Sequence, residues 1–124
     1  MFQRKYIISY KRSLIILKNK LLTLLGFATK AGKLSFGFEA ALGAIKQKKA
    51  KLIIIAEDIS EKSRKEILFF AEKGNIKSIC LKGIDIKALS DAIGRKCGIL
   101  SVNDKNFADA CVETDVLGGN ANDQ

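Results

Sequence analysis

The stretch Ala50–Asp58, AKLIIIAED, constrains the fold more than any other part of this chain of 124 residues. Its aliphatic run is continuous, rich in β-branched residues and too short for a typical helix. A strand that is apolar on both faces requires helices above and below it, because neither face tolerates water. Two further apolar runs, IKSICL at 76–81 and GILSV at 98–102, read as companion strands.

Between these runs the apolar residues follow helical spacing. Leu17, Leu21, Leu24, Leu25 and Ala28 mark one helix that stops at Gly32. Lys33–Phe36 leaves room only for a short extended piece. Phe38, Ala41, Leu42 and Ile45 then resume the helical repeat, with Lys46, Lys48 and Lys49 where cations suit the negative end of a helix dipole. Ser60 or Ser63 can cap a helix carrying Ile67, Phe70 and Ala71 that ends at Gly74. Asp85 opens another, with Ile86, Leu89 and Ile93, ending at Gly94, and Asp104 caps a last one through Phe107, Ala108 and Cys111. This alternation predicts an α/β chain: a single domain, built as a three-layer α/β/α sandwich around a small mixed sheet. The expected organisation is a basic N-terminal extension over 1–19, the domain over 20–116 and a polar, frayed tail over 117–124.

The formal charge of +9 is unevenly placed. Residues 1–51 hold 12 Lys and Arg against one acidic residue, Glu39, whereas residues 52–124 hold 10 against 12. Such asymmetry favours a polyanionic partner, a nucleic acid or an anionic membrane, over simple solvation of the surface. Lys11, Arg12, Lys18 and Lys20 cut the N-terminal apolar residues into pieces too short to span a bilayer, and no small-residue cleavage site follows. A cytoplasmic protein without a membrane partner is expected.

There is no histidine, which removes the usual general base and every Ser-His or Cys-His pair. Cys80, Cys97 and Cys111 form no CxxC motif, so a zinc site is not expected and the thiols read as packing residues. No cofactor, metal or small-molecule substrate is called for, and the expectation is a non-enzyme.

Three stretches compete as a ligand site. Gly26 and Gly32 enclose five residues, one too many for a P-loop, Lys33 is followed by Leu34, and the preceding segment is helical. Glu57 and Asp58 follow the strongest strand, where a magnesium site would need further carboxylates; solvated, helix-capping carboxylates fit better. The remaining stretch is ATKAGKLSFGFEA at 28–40. Gly32 permits close approach of a ligand to the backbone beside Lys30 and Lys33, and Gly37 precedes a helix whose first amides, near Phe38 and Glu39, are free for phosphates or base edges. Arg95 and Lys96 follow another glycine-ended helix. The plainer alternative is that Gly32 and Gly37 only stop one helix and start the next.

The succession AGKLSFG, AKLIIIAED and LSDAIGRKCGILSVND resembles the L7Ae/L30e superfamily of ribosomal proteins, most of all its small bacterial YlxQ-like branch, from about Leu21 to Val112. This resemblance implies a three-layer fold that binds RNA at kink-turns or related internal loops. It implies RNA-facing residues at the start of the second helix, Gly32, Lys33, Ser35, Gly37 and Glu39, and in the loop before the last strand, Arg95, Lys96 and Cys97. Many kink-turn binders carry an Asn-Glu pair and, three residues later, a lysine; those places fall here on Glu39, Ala40 and Gly43. The implied function is a non-enzymatic, ribosome-associated or ribosomal-protein-like RNA binder whose partner is ribosomal or other structured RNA. Residues 1–19 read equally as a flexible basic arm or as an extension of the first helix. Two other readings stay open: an adaptor that meets acidic protein partners through its basic face, and the RNA-recognition component of a modification system.

Overall fold

The computed structural model describes the backbone of residues 2–122 and the side chains of residues 16–117. The order is α1 (Phe2–Lys30), β1 (Leu34–Phe36), α2 (Phe38–Lys46), β2 (Leu52–Ile55), α3 (Glu61–Lys73), β3 (Lys77–Cys80), α4 (Ile86–Ile93), β4 (Ile99–Val102) and α5 (Lys105–Asn122). The four strands form one sheet in the order β1-β4-β2-β3. β2 runs parallel to β3 and antiparallel to β4, and β1 is antiparallel to β4, so the sheet is mixed as expected.

Burial explains the central place of β2. Leu52, Ile53, Ile54 and Ile55 are all fully buried. Each such side chain contributes about 1.5–3 kcal/mol relative to exposure. Leu52 and Ile54 point into a core completed by Leu21, Leu25 and Ala28 of α1, Leu89 of α4 and Cys111 of α5. Ile53 and Ile55 point the other way, onto Ala41 and Ile45 of α2 and Ile67 and Ala71 of α3. The three layers are therefore α1, α4 and α5, then the sheet, then α2 and α3.

The short piece before α2 is a true strand. Leu34, Ser35 and Phe36 face Val102, Ser101 and Leu100 in register. At the chain ends, α1 is helical from Phe2, so residues 2–19 continue the first helix of the domain, and α5 runs to Asn122 through much of the segment expected as a frayed tail. Residues 1, 123 and 124 lie outside the described residues.

The sheet has two ends with different connections. One end gathers the segments 31–33, 47–51, 74–76 and 103–104; the other gathers residue 37 and the segments 56–60, 81–85 and 94–98. Gly32 and Gly37 lie at opposite ends.

Candidate nucleic-acid interface

Gly37 opens α2 with φ 95° and ψ 165°, a region that only glycine occupies freely. Its own amide is tied to the carbonyl of Ile99 at 2.7 Å, and its carbonyl accepts from Ala41 at 2.9 Å. No side chain caps the helix. The amides of Phe38, Glu39 and Ala40 therefore have no intrahelical acceptor, and the partial positive charge of the helix start points outward. Glu39 and Ala40 are exposed here, and Gly43 follows Glu39 one turn later on the same helix face.

The loop between α4 and β4 frames this opening. The Arg95 guanidinium lies over the Phe36 ring at 4.6 Å, which fixes the loop against the last residue of β1. Lys96 beside it is exposed. Cys97 is buried at the root of the loop: its thiol donates to the carbonyl of Ile99 at 2.8 Å, and its amide donates to Ser90 Oγ at 3.0 Å. Burial pushes the Cys97 thiol up, against the opposing pull of the Gly37 and Ile99 backbone groups and the Arg95 charge. It stays protonated and faces inward, so it shapes the loop and offers solvent no sulfur.

The carboxylates singled out in the sequence fix loop shape at the same end. Glu57 accepts from the amide of Gly83 at 3.0 Å, and Asp58 accepts from the amide of Ile86 at 2.7 Å. Asp85 caps α4 by accepting from Ala88 at 2.8 Å. Among the described residues no three His, Cys, Asp or Glu side chains converge as metal ligands.

Gly32 and Lys33 belong elsewhere. Gly32, at φ 70°, closes α1: its amide donates to Thr29, and the Lys33 amide reaches back to Ala28. That is the paired bonding of a left-handed helix stop. Lys33 is exposed, but the length of β1 separates it from Gly37. Gly37, Glu39, Arg95, Lys96 and Cys97 thus come together, and Gly32 and Lys33 do not join them.

A polar relay that sequence reasoning missed lies between the two groups. Ser101, fully buried, donates to Asn103 Oδ1 at 2.7 Å, and Asn103 Nδ2 donates to Ser35 Oγ at 2.8 Å. The Asn103 amide also donates to the Lys33 carbonyl at 2.8 Å. Asn103 therefore pins β1 from both backbone and side chain, and leaves Ser35 half-buried with an occupied acceptor and a hydroxyl hydrogen to give. The lone serines within the apolar runs LSF and GILSV were the available signal.

The fold and this opening define a class: small α/β/α proteins that present an uncapped, glycine-opened helix start between two loops. No helix among the described residues is long and apolar enough to cross a membrane. Residues 19–112 match the family model described as ribosomal protein L7Ae/L30e/S12e/Gadd45, and the chain belongs to that family. It is 28% identical over 92 residues to the RNA-binding protein YlxQ of Enterococcus faecium, covering 73% of this chain and 86% of that one. Against the RNA-binding protein YlxQ of Bacillus subtilis (strain 168) the identity is 29% over 91 residues, with 72% and 88% covered. Among solved structures, a Bacillus halodurans protein of unknown function superposes with a TM-score of 0.73 at 25% identity, over 77% of this chain and 95% of that one. The Giardia lamblia 15.5kD RNA binding protein superposes with a TM-score of 0.66 at 18% identity, over 85% and 89%, which shows shared fold.

Proposed function

We propose that this chain is a non-enzymatic RNA-binding protein that seats an internal loop of a structured RNA, of the kink-turn type, on the start of α2. The observation that carries the reading is the set of free amides behind Gly37, framed by Arg95 and Lys96. Curated relatives named as RNA-binding proteins support it. Backbone amides at a helix start donate to phosphate oxygens or base-edge acceptors without demanding one sequence, and Arg95 and Lys96 neutralise phosphates alongside. Glu39 repels phosphate but accepts a hydrogen bond from a base amine, so it selects for a base edge at that point. Ser35 and Cys97 contribute by holding the shape of the opening. Lys33 adds a phosphate contact from the other end of β1. Ribosomal or other structured cellular RNA, met in the cytoplasm, is the partner this reading assigns.

Crosslinking followed by sequencing of bound cellular RNA tests the reading directly. Structured RNA enriched above a control protein of equal charge is the expected result; no enrichment overturns it. In vitro, a kink-turn RNA should bind more tightly than a plain duplex of equal length, and equal affinities would reduce the interaction to charge alone.

A further inference from the structure

The end of the sheet opposite Gly37 carries a concentration of charge of which the proposed site uses only Lys33. Its connecting segments, 31–33, 47–51, 74–76 and 103–104, contain four lysines, Lys33, Lys48, Lys49 and Lys51, against one carboxylate, Asp104. All four lysines are exposed, whereas the Asp104 carboxylate is engaged with the amide of Phe107 at 3.0 Å. Backbone bonds set Lys33 and Lys51 on either side of the end of β4: Lys51 donates its amide to Val102, and Lys33 accepts from Asn103. Lys46 is occupied, with its ammonium over the Phe70 ring at 5.6 Å.

Some positive charge is expected here, because α1, α2 and α3 all end at this side and their dipoles favour cations. Lys48 exceeds that need. Its amide donates to Ile45 and the Lys49 amide reaches back to Ala44, so Lys48 occupies the left-handed stop of α2 with φ 61°. Glycine is the residue that fits this position without steric cost. The chain uses glycine at the equivalent stop of α1, Gly32. A lysine held in a strained stop, followed by Lys49 and Lys51, points to a function for its charge.

We propose that this lysine end is a second RNA contact, gripping backbone phosphates of a stem that leaves the loop seated at Gly37. α2 sets the separation of the two contacts, about 13 Å for nine residues. The proposal rests on the RNA-binding reading above and adds where the salt-dependent part of the affinity resides.

The test uses fluorescence anisotropy with two probes: a short-stemmed kink-turn RNA, and the same RNA with each stem lengthened by one helical turn. The triple variant Lys48→Gly/Lys49→Gln/Lys51→Gln should bind the long-stemmed RNA about tenfold more weakly at low salt, with a log K against log salt slope smaller by about 2–3 units. Its affinity for the short-stemmed RNA should stay within about twofold of the parent. Lys48→Gly alone should raise Tm by about 2–4 °C while lowering the long-stem slope by about one unit. Opposite signs for stability and binding separate a phosphate contact from a residue that merely stabilises the helix end. A triple variant with parent affinity and slope on the long-stemmed RNA overturns this proposal and leaves the Gly37 site standing. A parent protein that binds neither RNA overturns both.

Discussion

At the Gly37 end of the sheet the connecting segments carry three cations, Lys82, Arg95 and Lys96, and three carboxylates, Glu57, Asp58 and Asp85; at the other end four lysines face one carboxylate. At the balanced end the carboxylates themselves fix the backbone. Each of its three carboxylates holds a loop or helix amide, and Arg95 lies on Phe36. Shape is preserved there by neutral bookkeeping of charge, which suits recognition through backbone amides. At the lysine end the helix carbonyls are already answered by the backbone stops of α1 and α2, so the ammonium groups stay free for solvent or phosphate. On the proposed reading, the net charge along the sequence marks where affinity comes from, while selectivity sits at the balanced end.

Four substitutions can break or sharpen that contrast. Gly37→Ala forces a side chain into a glycine-only conformation and should cost about 1–3 kcal/mol in urea unfolding. It should also erase the preference for kink-turn RNA over duplex while leaving weak, salt-sensitive binding; a retained preference would remove the helix start from the recognition model. Asn103→Ala strips the buried Ser101 hydroxyl of its acceptor and frees Ser35, for an expected loss of about 1–2 kcal/mol. Unchanged stability would mean that the relay does not pin β1. Gly43→Lys should stabilise by about 0.5–1 kcal/mol, since nothing lies within 4 Å of the new Cβ and lysine is the better helix former. Its cation beside Glu39 should also steepen the salt dependence of kink-turn binding by about one unit. Arg95→Ala has the smallest expected effect on the fold, about 0.5–1 kcal/mol from the lost ring contact, with a slope flatter by about 0.7–0.9. Equal slopes before and after would show that Arg95 only braces its loop.

The layers and most elements were legible because their causes are local. LIII has no polar face, Asp85 and Asp104 stand three residues before the amides they cap, and Glu57 and Asp58 do serve loop and helix amides. The site was legible in part. Gly32 and Gly37 read as parts of one ligand stretch because LSF, expected only as a short extended piece, is too short to show an alternating pattern. Its identity as a strand depends on pairing with Ile99–Val102, more than sixty residues away. The relay through Ser35, Ser101 and Asn103 was hidden for the same reason, since Ser35 and Asn103 are 68 positions apart. The inward turn of the Cys97 thiol follows from the packing of its loop, which no residue spacing encodes.

The three cysteines also give the molecule a graded chemical clock. Cys80 is exposed on the edge strand, Cys97 is sealed beneath the α4–β4 loop, and Cys111 is fully buried in the larger core, its thiol pushed up to about 11 by burial. A thiol reagent should consume Cys80 at once, Cys97 only as fast as its loop opens, and Cys111 only through global unfolding. A ligand seated against that loop would slow the middle step alone, so the rate of Cys97 labelling reads occupancy of the Gly37 end without any added label on the RNA.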